Sequence, residues 1–115
     1  MIAVIFEVQP AAGGGREGYL AIAASLAEEL HGVEGFISVE RFESLTAPGK
    51  LLSLSFWRDE AAITDWRNRE RHRAAQRAGR GELFASYRLR IASVVRDYDA
   101  VHRQEAPADS RARHA

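Results

Sequence analysis

Three features of the 115-residue sequence predict one α+β domain: four stretches with the two-residue period of strands, two with helical spacing, and their order, β-α-β-β-α-β. A chain of this length builds one core and is too short for two. Residues 2–9 place Ile2, Val4, Phe6 and Val8 on one side and Ala3, Ile5, Glu7 and Gln9 on the other. Pro10 and Gly13-Gly14-Gly15 end that strand in a flexible connection. From Arg16 onward, Tyr19, Ile22, Ala23, Leu26 and Leu30 recur at three and four residues, the stripe of an amphipathic helix. It should stop near His31-Gly32, with glycine in the left-handed C-cap conformation.

From Phe36 to Leu45, Ile37, Val39 and Arg41 alternate against Phe36, Ser38, Glu40 and Phe42, a second strand. Thr46-Ala47-Pro48-Gly49 is a turn by composition. The third strand, Lys50 to about Trp57, carries Leu52, Leu54 and Phe56 on one side and Leu51, Ser53, Ser55 and Trp57 on the other. Asp59 is placed to cap a second helix, which runs from near Glu60 to about Ala78 with a break near Asn68. Residues 84–98 form a fourth strand with a bulge at Val94-Val95. This is the ferredoxin-like arrangement, in which both helices cover one face of a four-stranded antiparallel sheet. The other face carries leucine, isoleucine and phenylalanine without cover, so a two-fold homodimer in which two such faces meet is the expected assembly. Residues 1–98 are the domain; residues 99–115 are a polar tail with Pro107, expected to lack structure alone.

Composition removes several functions. Sixteen basic residues offset sixteen acidic ones, so no net charge attracts nucleic acid. The fourth strand, Tyr87-Arg88-Leu89-Arg90-Ile91, lacks the glycine-aromatic run of an RNA-recognition strand. The absence of cysteine excludes disulfides, thiolate nucleophiles and iron–sulfur clusters. No apolar run approaches the roughly 20 residues that span a bilayer, and the first residues do not form a signal peptide, so no membrane partner and a cytoplasmic location are expected. The four histidines are dispersed and no metal site is expected; no Gly-x-Ser-x-Gly elbow or phosphate loop occurs.

The unusual residues concentrate in the second helix. At 100° per residue, Trp66, Arg69, Arg73 and Gln76 fall within roughly 80° of one another, with His72 at the margin. They would face one cavity between helix and sheet, while Arg67, Arg71 and Ala78 point away. Trp57 and Trp66 should not share that cavity unless the strand ends or bends there. Trp66 is otherwise a core aromatic, and His72 a solvated helical histidine. Six arginines from Arg67 to Arg80 stand against the single acid Glu70; they form either a solvated basic face or an anion site. Glu7, in an apolar strand, is either paired on the dimer-facing side or set at a pocket with a raised pKa.

The element order, Val4-Ile5-Phe6-Glu7-Val8, the junction Ser55-Phe56-Trp57-Arg58-Asp59-Glu60, and Trp66 followed by His72 and Gln76 together resemble the antibiotic biosynthesis monooxygenase family. The resemblance covers residues 2–98 and implies a dimeric α+β barrel with a pocket between helices and sheet in each subunit. Some members oxidise electron-rich polyphenols to quinones with molecular oxygen and neither metal nor flavin. Others degrade haem with an Asn on the first strand, a Trp on the second helix and a His ten residues beyond it. Trp66 matches that Trp, but Gln76 stands where the His belongs, Glu7 where the Asn belongs, and His72 follows Trp66 by only six residues. The resemblance thus implies a cofactor-independent monooxygenase of a small aromatic, hydroquinone-like substrate rather than a haem protein. His72 would be the base and Trp66 the wall of the slot, with Arg69, Arg73, Gln76 and Glu7 contacting substrate. The alternatives are a non-catalytic small-ligand-binding or stress-associated dimer and, less favoured, a haem-binding or haem-degrading protein.

Overall fold

The computed structural model describes residues 1–77 and 83–113, with side chains described for 1–69 and 83–111. Its elements are β1 (Ile2–Pro10), α1 (Gly15–His31), β2 (Phe36–Glu43), β3 (Leu51–Trp57), α2 (Glu60–Arg77), β4 (Phe84–Ser93) and α3 (Ala108–Arg113). The strands pair antiparallel in the order β2-β3-β1-β4, the ferredoxin-like sheet. Among the described residues no helix is long and apolar enough to cross a membrane.

The alternation of β1 decides the layers. Ile2, Val4, Phe6 and Val8 stand opposite Trp57, Ser55, Ser53 and Leu51 of β3, and this row faces the helices. Ala3, Ile5 and Glu7 stand opposite Phe56, Leu54 and Leu52 on the outer face, which neither α1 nor α2 covers. Burial follows the pattern: Val8 and Trp57 are almost wholly inaccessible. At the end of β1 the register slips between Gln9 and Pro10, where proline has no N–H to offer β4. The Gly13-Gly14-Gly15 connection is a defined turn rather than a loose one: Gly14 has φ 105°, and a Cβ on Gly15 would lie 2.6 Å from the Leu83 carbonyl oxygen.

Several expectations need correction. Gly32 closes α1 at φ −83°, a right-handed conformation; its N–H donates to the Glu29 carbonyl, and the Val33 N–H donates to that of Leu30. The left-handed residue is Gly35, at φ 90°, where the chain turns into β2. The second strand stops at Glu43 instead of Leu45, and its register shifts between Phe36 and Ser38. That shift sets Phe36 opposite Trp57 and turns its ring inward, against the simple alternation. Helix α2 continues through Asn68 without a break. Strand β4 ends at Ser93, with no strand or bulge over 94–98, because its neighbour β1 has run out: Ser93 pairs Ile2, and Val94 N–H reaches the Met1 carbonyl at 3.0 Å.

The tail is also more ordered than its composition suggests. Asp99 Oδ1 accepts the backbone N–H groups of Val101 at 2.8 Å and His102 at 2.6 Å, a local turn. Arg103 lies over the Tyr98 ring and donates to Ser110 Oγ at 2.9 Å, bracing the segment that ends in α3. Side-chain hydrogen bonds supply here what apolar content does not.

The junction into α2 is held twice. Asp59 Oδ1 accepts the Ala62 N–H at 3.0 Å, the N-cap that the sequence anticipates, and Arg58 N–H donates to the Gly35 carbonyl at 2.7 Å. A Cβ on Gly35 would lie 2.8 Å from that of Ala62. Gly35→Ala should therefore lower stability by about 1–3 kcal/mol, through a strained φ and this close approach. Gly32→Ala, at a compatible φ, should be neutral or stabilise by about 0.5 kcal/mol in the same urea titrations. The Ala62 amide first, and then the Arg58 side chain, hold the Asp59 carboxyl below its usual range. Its contribution is complete above the unfolded-state value of about 3.9 and vanishes as pH falls through the lowered one. Asp59→Ala should accordingly lower the melting temperature at pH 7, and the gap to wild type should narrow in melts carried down towards pH 3.

Candidate functional site

The helix-facing side of the sheet packs in two separate clusters. Leu30, Val33, Trp57, Ala62 and Ile63 form one; Val8, Tyr19 and Leu51 form the other, extended by Phe6 and Phe84. Between them a cavity of about 270 Å³ remains. Its floor is short because β3 presents Ser53 and Ser55 between Leu51 and Trp57, where larger apolar side chains would fill the space. Val4 and Phe6 flank the serines, and Tyr19, Ile22 and Leu26 of α1 with Ile63 and Trp66 of α2 close the space from above.

Trp57 is the fixed wall. It is 2% exposed, donates its indole N–H to Ser55 Oγ at 2.9 Å and meets the edge of Phe36 at 5.2 Å between ring centres. Trp66 is half-buried and packs against the same cluster. Both tryptophans line the cavity, and β3 ends at Trp57, the condition under which the sequence allowed them to share it. The β1–β3 register explains this: the serine–tryptophan row of β3 faces the helices, and the Leu52, Leu54, Phe56 row faces outward.

Of the charged side chains, Arg41 of β2 and Arg67 of α2 reach the cavity, both from exposed positions. Arg67 is thus among the residues lining the space it was expected to avoid, within reach of a long side chain from the position beside Trp66. Arg69, expected inside, is bound to Asp65 one turn earlier at 3.0 Å and does not line the cavity. Glu7 lies on the opposite face of the sheet. Strand alternation puts it there, with Arg90 at 2.9 Å and Lys50 at 3.4 Å, and the Arg90 and then Lys50 hydrogen bonds hold its carboxyl below the usual range. Of the two readings of Glu7, the paired one describes its surroundings. The side chains of His72, Arg73 and Gln76 lie outside the described residues, although their backbone belongs to α2. Sequence reasoning missed Arg41, Ser53, Ser55 and Trp57 as lining residues. The available signal was a pair of serines alternating with a tryptophan in an otherwise apolar strand.

The site is an apolar slot walled by two indoles, with hydroxyls on its floor and two exposed arginines among its lining residues. Such a slot can hold a ring, exclude water and attract a negative charge. Among the described residues no cluster of three or more His, Asp or Glu side chains is arranged to hold a metal ion. A haem iron would want a strong axial donor, and the described lining contains no imidazole or carboxylate; Tyr19 is enclosed by Phe6 and Phe84. The side chains of His72 and Gln76, the positions compared with the haem-ligating histidine, lie outside the described residues.

Comparison with known proteins agrees with this geometry. Residues 1–78 match the family model described as antibiotic biosynthesis monooxygenase. A protein of Pyricularia oryzae named jasmonate monooxygenase ABM is 46% identical over 95 residues, which is 83% of this chain and 44% of the relative. The chain spans about half the length of the curated relatives it matches. Among solved structures, a mutant of SnoaB, a cofactor-independent oxygenase from Streptomyces nogalater, superposes with a TM-score of 0.64 at 12% identity, covering 84% of this chain and 94% of that one. A mutant of MhuD with two manganese protoporphyrin IX molecules per active site gives 0.67 at 20% identity, covering 86% and 99%. At those identities the two structures speak for the fold alone, whereas the family match spans most of the chain: it belongs to the antibiotic biosynthesis monooxygenase family.

Proposed function

We propose that this protein is a cofactor-independent monooxygenase that oxidises a small aromatic, hydroquinone-like substrate with molecular oxygen. The observation that carries the reading is the apolar cavity walled by Trp57 and Trp66, a slot that suits a flat ring. The Pyricularia relative and the SnoaB structure, by their names, add oxygen chemistry on small organic molecules and, for SnoaB, the absence of a cofactor.

In this reading the substrate is its own reductant. Loss of the phenolic proton gives a phenolate rich enough in electrons to reduce dioxygen. A ring carbon para to it that carries hydrogen, as in an anthrone, gains one oxygen atom, loses its hydrogen and becomes a carbonyl; the O–O bond breaks and the second oxygen leaves as water. His72 takes the proton, having a reference pKa near 6.5, Trp66 stacks on the ring, and Arg73 and Gln76 orient it. Arg69 and Glu7 take no part, since neither lines the cavity.

The assembly is a homodimer. The outer face of the sheet carries Ile5, Leu52, Leu54 and Phe56 with Phe42 beside them, and two copies meeting there would cover all five. Sedimentation equilibrium at micromolar concentration should give twice the chain mass, and Leu54→Glu should give the monomer.

Oxygen uptake with a panel of hydroquinones and anthrones in metal-free buffer tests the reaction. Wild type should consume one O2 per substrate oxidised, and His72→Ala should lose roughly 10²–10⁴-fold in rate. Equal rates would remove His72 as the base. Binding of the same compounds without any oxygen consumption would favour the non-catalytic ligand-binding dimer, and a Soret band on haem titration, abolished in His72→Ala, would favour a haem protein.

A further inference from the structure

The charge around the cavity is one-sided. Arg41 and Arg67 are the charged groups among its described lining residues, and both are cations; Tyr19, Ser53 and Ser55 are neutral. Two of the acids that sequence places near them are engaged elsewhere. Glu43, two residues from Arg41 along the same row of β2, lies 2.8 Å from Arg16, and Asp65, two residues before Arg67, is held by Arg69 at 3.0 Å. No ion pair or hydrogen bond among the described residues reaches either Arg41 or Arg67. One arginine comes from the sheet and the other from the helix, so they approach the same space from two layers.

We propose that Arg41 and Arg67 form a carboxylate anchor, and that the substrate class of this cavity is an apolar ring or chain bearing one carboxylate group. The inference rests on the cavity being the substrate site. A guanidinium presents a planar fork of N–H donors that matches the two oxygens of a carboxylate. Beside a low-dielectric wall, two cations that have no ion pair among the described residues focus their field on the opening and draw an anion to it. The apolar part of the ligand then occupies the slot between Trp57 and Trp66, and the carboxylate stays at the edge where the two arginines are exposed. Anchoring one end fixes which atoms of the substrate lie deep in the slot, so the arginines act as positioning residues for any chemistry there.

The protein contains two tryptophans and both line the cavity, so their fluorescence reports its occupancy. Titration with 4-cyclohexylbutanoate and with the neutral 4-cyclohexylbutanamide compares ligands of the same shape that differ in charge. The carboxylate should bind about tenfold or more tightly than the amide at low salt, and the advantage should shrink at high salt. Arg41→Gln with Arg67→Gln should bring the carboxylate down to the affinity of the amide; because both side chains are exposed, an unchanged melting temperature confirms that the fold survives. Equal binding of acid and amide, a preference that persists in the double variant, or no fluorescence response to either ligand at millimolar concentration would overturn the anchor. The binding measurement needs no oxygen, so a carboxylate preference without oxygen uptake overturns the proposed reaction alone, and oxygen uptake from neutral substrates without that preference overturns the anchor alone.

Discussion

The hydrogen bond from the Trp57 indole to Ser55 is the contact on which the rest of this structure turns. A buried indole N–H without a partner costs about 1–3 kcal/mol, so a tryptophan at a 2% exposed position needs an acceptor nearby. The residue two positions back on the same face of β3 can supply one only if it is small and polar. Ser55 meets that need, but its short side chain leaves the floor of the sheet low. Trp57 then fills one end of the layer with Phe36, Leu30 and Ile63, while Tyr19, Phe6 and Phe84 fill the other. The unfilled middle is the cavity, a direct consequence of how one tryptophan is satisfied.

The same position ties the cavity to the start of α2. Trp57 is the last residue of β3, and within two residues Arg58 has donated to the Gly35 carbonyl and Asp59 has capped the helix. The direction in which α2 leaves the sheet is therefore set by short-range bonds rather than by broad packing. Its first turns carry Ala62 and Ile63 into the core and Trp66 to the edge of the open space. A helix steered at its N-terminus in this way can lie over a void.

How much of this could be read from the residues follows from what each feature depends on. The two-residue period of Ile2–Val8, the stripe from Tyr19 to Leu30 and the Asp59 cap are local, and the element order follows from them. Where β4 ends is not local, since it is decided by the first residue of β1; nor is the slip at Phe36, which depends on how β2 pairs with Trp57. The site suffered most from this. Both rows of β3 contain large apolar residues, so composition could not say that the one holding two serines faces inward. Without that, Trp57 and Arg41 fall on an undetermined side, and helical angles measured from Trp66 alone favour Arg69 over Arg67. The long flexible stem of arginine blurs an argument made at Cβ, and the ion pair between Asp65 and Arg69 decided the matter in favour of the neighbour.

A chain with no net charge can still create a field, because what matters is which charges are already paired. Glu7 draws Arg90 and Lys50 on the outer face, Glu43 draws Arg16 at the edge of the sheet, and Asp59 with Glu34 draws Arg58 at the helix junction. Each of these pairs is exposed enough that solvent and salt weaken it, so as fasteners they contribute little. Their larger effect is to use acids away from the cavity, while Arg41 and Arg67, among its lining residues, have no ion pair among the described residues. Removing one of those acids would free its arginine without adding a carboxylate at the slot, so the field there is insensitive to most surface substitutions. It responds instead to the few changes that place a negative charge on the serine row of β3 or on the first turns of α2. On the outer face Glu7 holds Arg90 and Lys50 beside Leu52 and Leu54, whereas on the helix face Arg41 and Arg67, which have no ion pair among the described residues, stand where a ligand would enter beside the tryptophans.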